Sequence, residues 1–169
     1  MRTPLAALRN LEGGGTGKFA EGMHISEENH KSLKCFYTNA NSLTGKMDEL
    51  RERISGKSYD VIAITETWAN HGITDAELSL DGFNLYRKDR AAKRAGGIAL
   101  YINEALQANT HMDLIADDQE SLWCSVKCHK TLTLVGVCYR CPDSTDSYND
   151  NLLKIITTLQ EIRRLVDVL

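Results

Sequence analysis

Nowhere in this chain do apolar residues run on for the roughly 20 positions that a membrane-crossing helix requires, so the sequence places no helix in a bilayer. The opening stretch MRTPLAALRN carries positive charge but no apolar block long enough for a secretory signal. Cysteine is scarce and odd in number, five in 169 residues, which argues against a disulfide scaffold. An excess of positive charge is also missing: the formal net charge is −3 and the sequence pI about 5.9. No global field advertises nucleic-acid binding, and any phosphate-facing surface has to be local. These absences leave a soluble intracellular protein with reduced thiols, long enough to bury a core as one domain or a large part of one.

Several familiar chemistries are missing too. The glycine run in EGGGTGKFAEG fails as a phosphate loop. Glu12 stands where its first glycine belongs, and Phe19 replaces the metal-binding Ser or Thr. Residues 1–32 read instead as a flexible segment. Cys124, Cys128, Cys138 and Cys141, with His129 beside them, invite a zinc reading. On one strand, however, Cys124 and Cys128 lie about 13 Å apart at ~3.3 Å per residue, too far to share a tetrahedral ion. They read better as small apolar core residues. His24, His30, His71, His111 and His129 have no serine, cysteine or acid partner at a spacing that names a nucleophile system.

What is present is an alternation of short apolar runs and amphipathic stretches. Leu33 to Thr38 is rich in β-favouring residues and predicts a strand. Thr44 is placed to cap a helix KMDELRERI, with Met47, Leu50 and Ile54 on its apolar stripe and Gly56 as its stop. Asp60 to Thr65, FNLYRK, GGIALYIN, residues 121–128 and LTLVGVCY follow as further strands. The alternation in 121–128 puts Leu122, Cys124, Val126 and Cys128 on one face. From about Ser147 a helix buries Tyr148, Leu152, Ile155, Ile156, Leu159, Ile162 and Val166. This order predicts a layered α/β or α+β domain with mixed sheets.

Three strands end in polar groups: the first at Asn39 and Asn41, the second at Glu66, a later one at Tyr139-Arg140. Strand mouths fix side chains rigidly while leaving them accessible. One carboxylate with amide and phenol neighbours suits Mg²⁺, an oxygen-seeking ion that keeps much of its water. Two readings fit Glu66: a solvated acid where the strand re-enters water, or a metal ligand. The stretch YRKDRAAKRAGG sets Arg87, Lys88, Arg90, Lys93 and Arg94 around a single acid, Asp89. It is either a solvated loop or a seat for a phosphate backbone.

Taken together, YTNANSLTGKMDELRERI…YDVIAITETW, GFNLYRKDRAAKRAGGIALYI and ESLWCSVK…LVGVCYRCP resemble the endonuclease domain of non-LTR (LINE-type) retrotransposon polyproteins. That domain belongs to the endonuclease/exonuclease/phosphatase superfamily, which includes apurinic/apyrimidinic endonucleases and DNase I. The resemblance runs from about Leu33 onward. It implies the N-terminal part of a four-layered α/β sandwich, mixed sheets flanked by helices, and a phosphodiesterase that uses Mg²⁺, or Mn²⁺ in its place, to nick DNA. It makes Glu66 the metal ligand and Asn39 and Tyr139 catalytic groups; the basic stretch Arg87, Lys88, Arg90, Lys93 and Arg94 is, from its charge, the candidate DNA-binding surface. DNA is the implied partner, with the reverse transcriptase portion of a parent polyprotein, and the nucleus the implied compartment.

The family's later G-D-F-N and S-D-H segments have no counterpart. Asp81 to Asn84, DGFN, aligns instead with a glycine turn before FNLYRK, and Cys141 stands where many relatives carry proline. Residues 33–169 are therefore expected to form a truncated domain, with little activity by itself and open sheet edges. A decayed or domesticated copy retained for binding is the alternative.

Overall fold

The computed structural model describes residues 32–90, 95–111, 120–128, 131–141 and 144–166. They build seven strands and two helices in the order β1 (Cys35–Asn39), α1 (Met47–Ile54), β2 (Val61–Thr65), β3 (Phe83–Lys88), β4 (Ile98–Asn103), β5 (Gln107–Thr110), β6 (Ser121–Cys128), β7 (Thr131–Cys138) and α2 (Asp146–Val166). One sheet has the order β1-β2-β4-β3, with β1 and β2 parallel and the other neighbours antiparallel. The second is an antiparallel sheet in the order β5-β6-β7.

Alternation along the strands explains how these elements stack. Val61, Ile98, Leu100 and Ile102 of the first sheet meet Leu122, Cys124, Val126, Val135 and Val137 of the second in one buried cluster. The intervening residues of the first sheet, Ile62, Ile64, Ala99 and Tyr101, point the other way onto Met47 and Leu50 of α1 and onto Leu43, Leu78 and Leu80. Trp123, on the outer face of the second sheet, packs on Ile155 of α2, with Leu134, Cys138, Leu152 and Ile156 around it. The result is four layers: helix and loops, sheet, sheet, helix. Each fully buried aliphatic side chain contributes about 1.5–3 kcal/mol. The face-to-face sheets are therefore the main source of stability.

The expected elements recur within a residue or two, with two differences. Thr44 does not cap α1. An extra turn, closed by the Lys46 N–H donating to the Leu43 carbonyl at 2.8 Å, delays the helix to Met47. Lys46 becomes the cap residue and makes no side-chain cap, while the Thr44 hydroxyl lies 3.5 Å from that of Ser42. Strand β5 was not foreseen, because QANT has no apolar alternation and a single β-branched residue; it forms by pairing, with Thr110 opposite Cys124. Among the described residues no helix is long and apolar enough to cross a membrane.

The cysteines divide by burial. Cys124 sits between the sheets and Cys138 beneath α2, and burial pushes both thiols up to about 12. The folded chain holds these protons more tightly than the unfolded chain, whose thiols titrate near 9. Stability from this source is complete below pH 9 and falls as pH rises toward about 12. The urea midpoint is thus expected to drop over that range, and Cys124→Ala to flatten the drop. A Cys124→Ala profile parallel to that of the parent chain would contradict it.

Candidate active site at the strand mouths

Register decides which chain ends meet. Asn39 pairs with Thr65 at the end of β1 and β2, so Glu66 emerges beside Asn39. Thr65 pairs with Ile98, so Gly97, just before β4, lies beside Glu66 on its other flank. In the second sheet Ser121 pairs with Cys138, which sets Glu120 next to Tyr139. Because the sheets pack face to face, these ends converge on one rim of the sandwich. Asn39, Glu66 and Tyr139, picked from separate strand ends in the sequence, are brought together there.

The Asn39 side-chain amide donates from Nδ2 to Glu66 Oε1 at 2.9 Å. The Tyr139 phenol lies beside the same carboxylate, close enough for Glu66 to hold its proton more tightly. Burial raises the Tyr139 phenol well above its usual range, and the Glu66 hydrogen bond and charge push it further. Tyr139 therefore stays a neutral donor throughout the physiological range. Asn39 is exposed, whereas Glu66 and Tyr139 are half-buried. A substrate can reach the rim while the carboxylate stays fixed.

Backbone conformation shows how much the fold commits to this geometry. Among the described residues, the non-glycine positions with positive φ are Asn41 (44°), Ser42 (77°), Glu66 (55°) and Trp68 (54°). All follow β1 or β2. Such conformations cost on the order of 1–3 kcal/mol each and persist only where the surroundings enforce them. Here the surroundings are two hydrogen-bonded flanks. Ser42 and Leu43 donate to the carbonyls of Glu66 and Thr67 at 2.9 and 2.8 Å, while Thr67 and Trp68 donate to those of Gly97 and Gly96 at 3.2 and 2.9 Å. Asn39 Oδ1 accepts from the Asn41 N–H at 3.0 Å, which aims its amide at Glu66.

Two polar residues that support this rim were not singled out from the sequence. Lys46 Nζ donates to the carbonyls of Ala40 and Asn41 at 2.6 and 2.8 Å, fastening the loop after β1. A cation at a helix N-terminus is disfavoured by the helix dipole, so these carbonyls account for its presence. Glu120 is 8% exposed, accepts the Gly97 N–H at 2.8 Å and pairs with Arg90 Nε at 2.7 Å. Burial raises the Glu120 carboxyl above the usual glutamate range, although Gly97 and Arg90 pull it down. No local sequence signal marks either residue, because each acts on backbone groups distant in the chain.

The basic stretch is less open than its composition suggested. The Arg87 guanidinium reaches Asp75 at 3.2 Å, Asp89 at 3.0 Å and the Ile73 carbonyl at 2.6 Å, and its side chain is 16% exposed. Arg90 spans Glu120, the Ala95 carbonyl and Cys141. Lys88 lies close enough to Glu120 to favour its charged form. Lys93 and Arg94 fall outside the described residues. Arg87 thus has a fold-supporting role: Arg87→Ala strands Asp89 in a half-buried site and is expected to cost about 2 kcal/mol. An unchanged denaturation midpoint would contradict this.

One carboxylate at the rim, with an amide N–H and a phenol beside it, fits a hard divalent cation such as Mg²⁺. Among the described residues no three His, Cys, Asp or Glu side chains cluster to form an all-protein cage. That donor set fits an ion held by one carboxylate and completed by water and phosphate.

No curated protein matches the chain. Among solved structures it is similar to the AP endonuclease LMAP from Leishmania major, with 18% identity and a TM-score of 0.59, over 73% of this chain and 47% of that one. It is also similar to the endonuclease domain of TRAS1, a telomere-specific non-LTR retrotransposon, with 12% identity and a TM-score of 0.56, over 73% of this chain and 53% of that one. The chain spans about half the length of each. What it shares with them is the two-sheet fold. Residues 10–165, most of the chain, match the Endonuclease/Exonuclease/phosphatase family, and the chain belongs to that family.

Proposed function

We propose that the chain supplies the metal-holding part of a Mg²⁺-dependent phosphodiesterase of the retrotransposon endonuclease type, which nicks DNA. The observation that carries this reading is the Glu66 carboxylate, held at a strand mouth by Asn39 Nδ2 at 2.9 Å with the Tyr139 phenol beside it. Glu66 would hold Mg²⁺ (Mn²⁺ in its place), and the bound ion would stabilise charge on the phosphate oxygens as an in-line displacement proceeds. Asn39 keeps the carboxylate in one rotamer. Neutral Tyr139 offers an O–H donor beside the same carboxylate, positioned before reaction and so without reorganisation cost. Lys88 and the stretch around it would steer a phosphate backbone toward the rim.

Among the described residues no histidine or aspartate faces Glu66 as a base for the attacking water. The nucleophile-handling groups of the family's G-D-F-N and S-D-H segments would complete the reaction. A longer chain carrying those segments is expected to nick supercoiled plasmid with Mg²⁺ and to stop in a chelator. A longer chain that folds, binds DNA and never cuts would overturn the reading and favour a copy kept for binding alone.

A further inference from the structure

We propose that Glu120 is a positioning residue of the Glu66 site, a side chain through which the second sheet steadies the metal-holding carboxylate of the first. The inference rests on the function proposed above and assigns a role to a residue outside the Asn39–Glu66–Tyr139 set.

Glu120 works through both its backbone and its side chain. Its carbonyl accepts the Tyr139 N–H at 2.8 Å, so it sets the height at which Tyr139 leaves β7. Its carboxylate accepts the Gly97 N–H at 2.8 Å. The carbonyls of Gly97 and Gly96 in turn receive the N–H groups of Thr67 and Trp68, the two residues after Glu66. One residue therefore holds Tyr139 directly and the segment after Glu66 through Gly97.

The glycines show that this grip is close-fitting. A Cβ at Gly96 would stand 2.6 Å from Glu120 Oε2, and one at Gly97 2.6 Å from Thr67 Oγ1. Both glycines have positive φ, 102° and 79°, so neither tolerates a side chain sterically or conformationally. Arg90 closes the arrangement from behind: it pairs with Glu120 Oε1 at 2.7 Å and reaches Cys141, two residues past Tyr139. With Glu66 at a positive φ of 55°, loosening this support lets the segment relax away from Asn39.

The test uses the full chain, with Mn²⁺ alone as the metal probe and the Asn39 side-chain amide NMR signal as a metal-free readout. Glu120→Ala is expected to lower Mn²⁺ affinity about 10–100-fold, the usual effect of removing a partner that orients a ligand, and to shift the Asn39 Nδ2 signal. Glu120→Gln retains an oxygen for the Gly97 N–H and is expected to recover most of the affinity. Val126→Ala, in the core of the same strand, serves as the stability control. It should lower the denaturation midpoint and leave both site readouts unchanged. Wild-type affinity with an unmoved Asn39 signal in Glu120→Ala overturns this inference alone. If the parent chain binds no Mn²⁺ at Glu66, the functional reading falls. The Asn39 signal still decides the positioning role, and an unmoved signal in Glu120→Ala overturns it.

Discussion

Glu66→Gln is expected to lower divalent-cation affinity by more than about 100-fold while changing stability by less than about 1 kcal/mol. The substitution is nearly isosteric, and glutamine keeps a carbonyl oxygen at the position where Asn39 Nδ2 now donates at 2.9 Å. What disappears is the negative charge and one anionic oxygen. Partners that merely orient a ligand change metal affinity 10–100-fold, so removing the ligand's charge has to exceed that range. In a longer chain that nicks DNA, the same change should reduce the rate at least 10²-fold, because the phosphate charge then develops without its counter-ion. Isothermal titration with Mn²⁺ and a urea melt, run side by side, separate the two effects. A variant that loses affinity only by unfolding would refute the assignment.

The second large effect is structural. Gly136→Val is expected to destabilise the chain by about 3 kcal/mol or more, the upper end for overpacking a core. Gly136 lies opposite Trp123 on β7 and β6, and a Cβ there would sit 2.1 Å from the indole ring. Trp123 cannot swing aside without leaving Ile155, which joins α2 to the second sheet. The Cβ of valine would therefore displace the whole outer layer. Circular dichroism melts should show a much lower midpoint, and Trp123 fluorescence should move toward that of a solvated indole. A midpoint within experimental error of the parent chain would contradict this.

Much of the architecture was legible because hydrophobic period maps directly onto layers. Strict alternation in SLWCSVKC separates Leu122, Cys124 and Val126 from Trp123, and the structure seats those two sets in different clusters. The unbroken run of β2 reads as buried on both faces, and it is: Val61 faces one cluster and Ile62 and Ile64 the other. β5 was invisible because its reason for existing is a neighbour, not its own residues. At the rim, Asn39, Glu66 and Tyr139 could be picked out as polar ends of apolar strands. Their convergence depends on register and on how the sheets face each other, which no local pattern encodes.

Glu120 and Lys46 were missed for a related reason. Each acts on backbone groups distant in sequence, Glu120 on Gly97 and Lys46 on Ala40 and Asn41, and composition records only a charge. The basic stretch shows the same limit. Local counting registers its arginines but not Asp75 and Glu120, which approach Arg87 and Arg90 from elsewhere in the chain.

The central claim is that Glu66 holds a divalent cation at the strand mouths. Adding Mn²⁺ at substoichiometric amounts to ¹⁵N-labelled chain tests it most directly, since the paramagnetic ion broadens only nearby amide signals. The expected result is selective loss of signals from residues 39–42, 66–68, 97 and 139, with Gly56, Lys57 and Glu104 untouched, and no such loss in Glu66→Gln. Broadening centred on the exposed acids of α1, Asp48 and Glu49, or an identical pattern in Glu66→Gln, would contradict it.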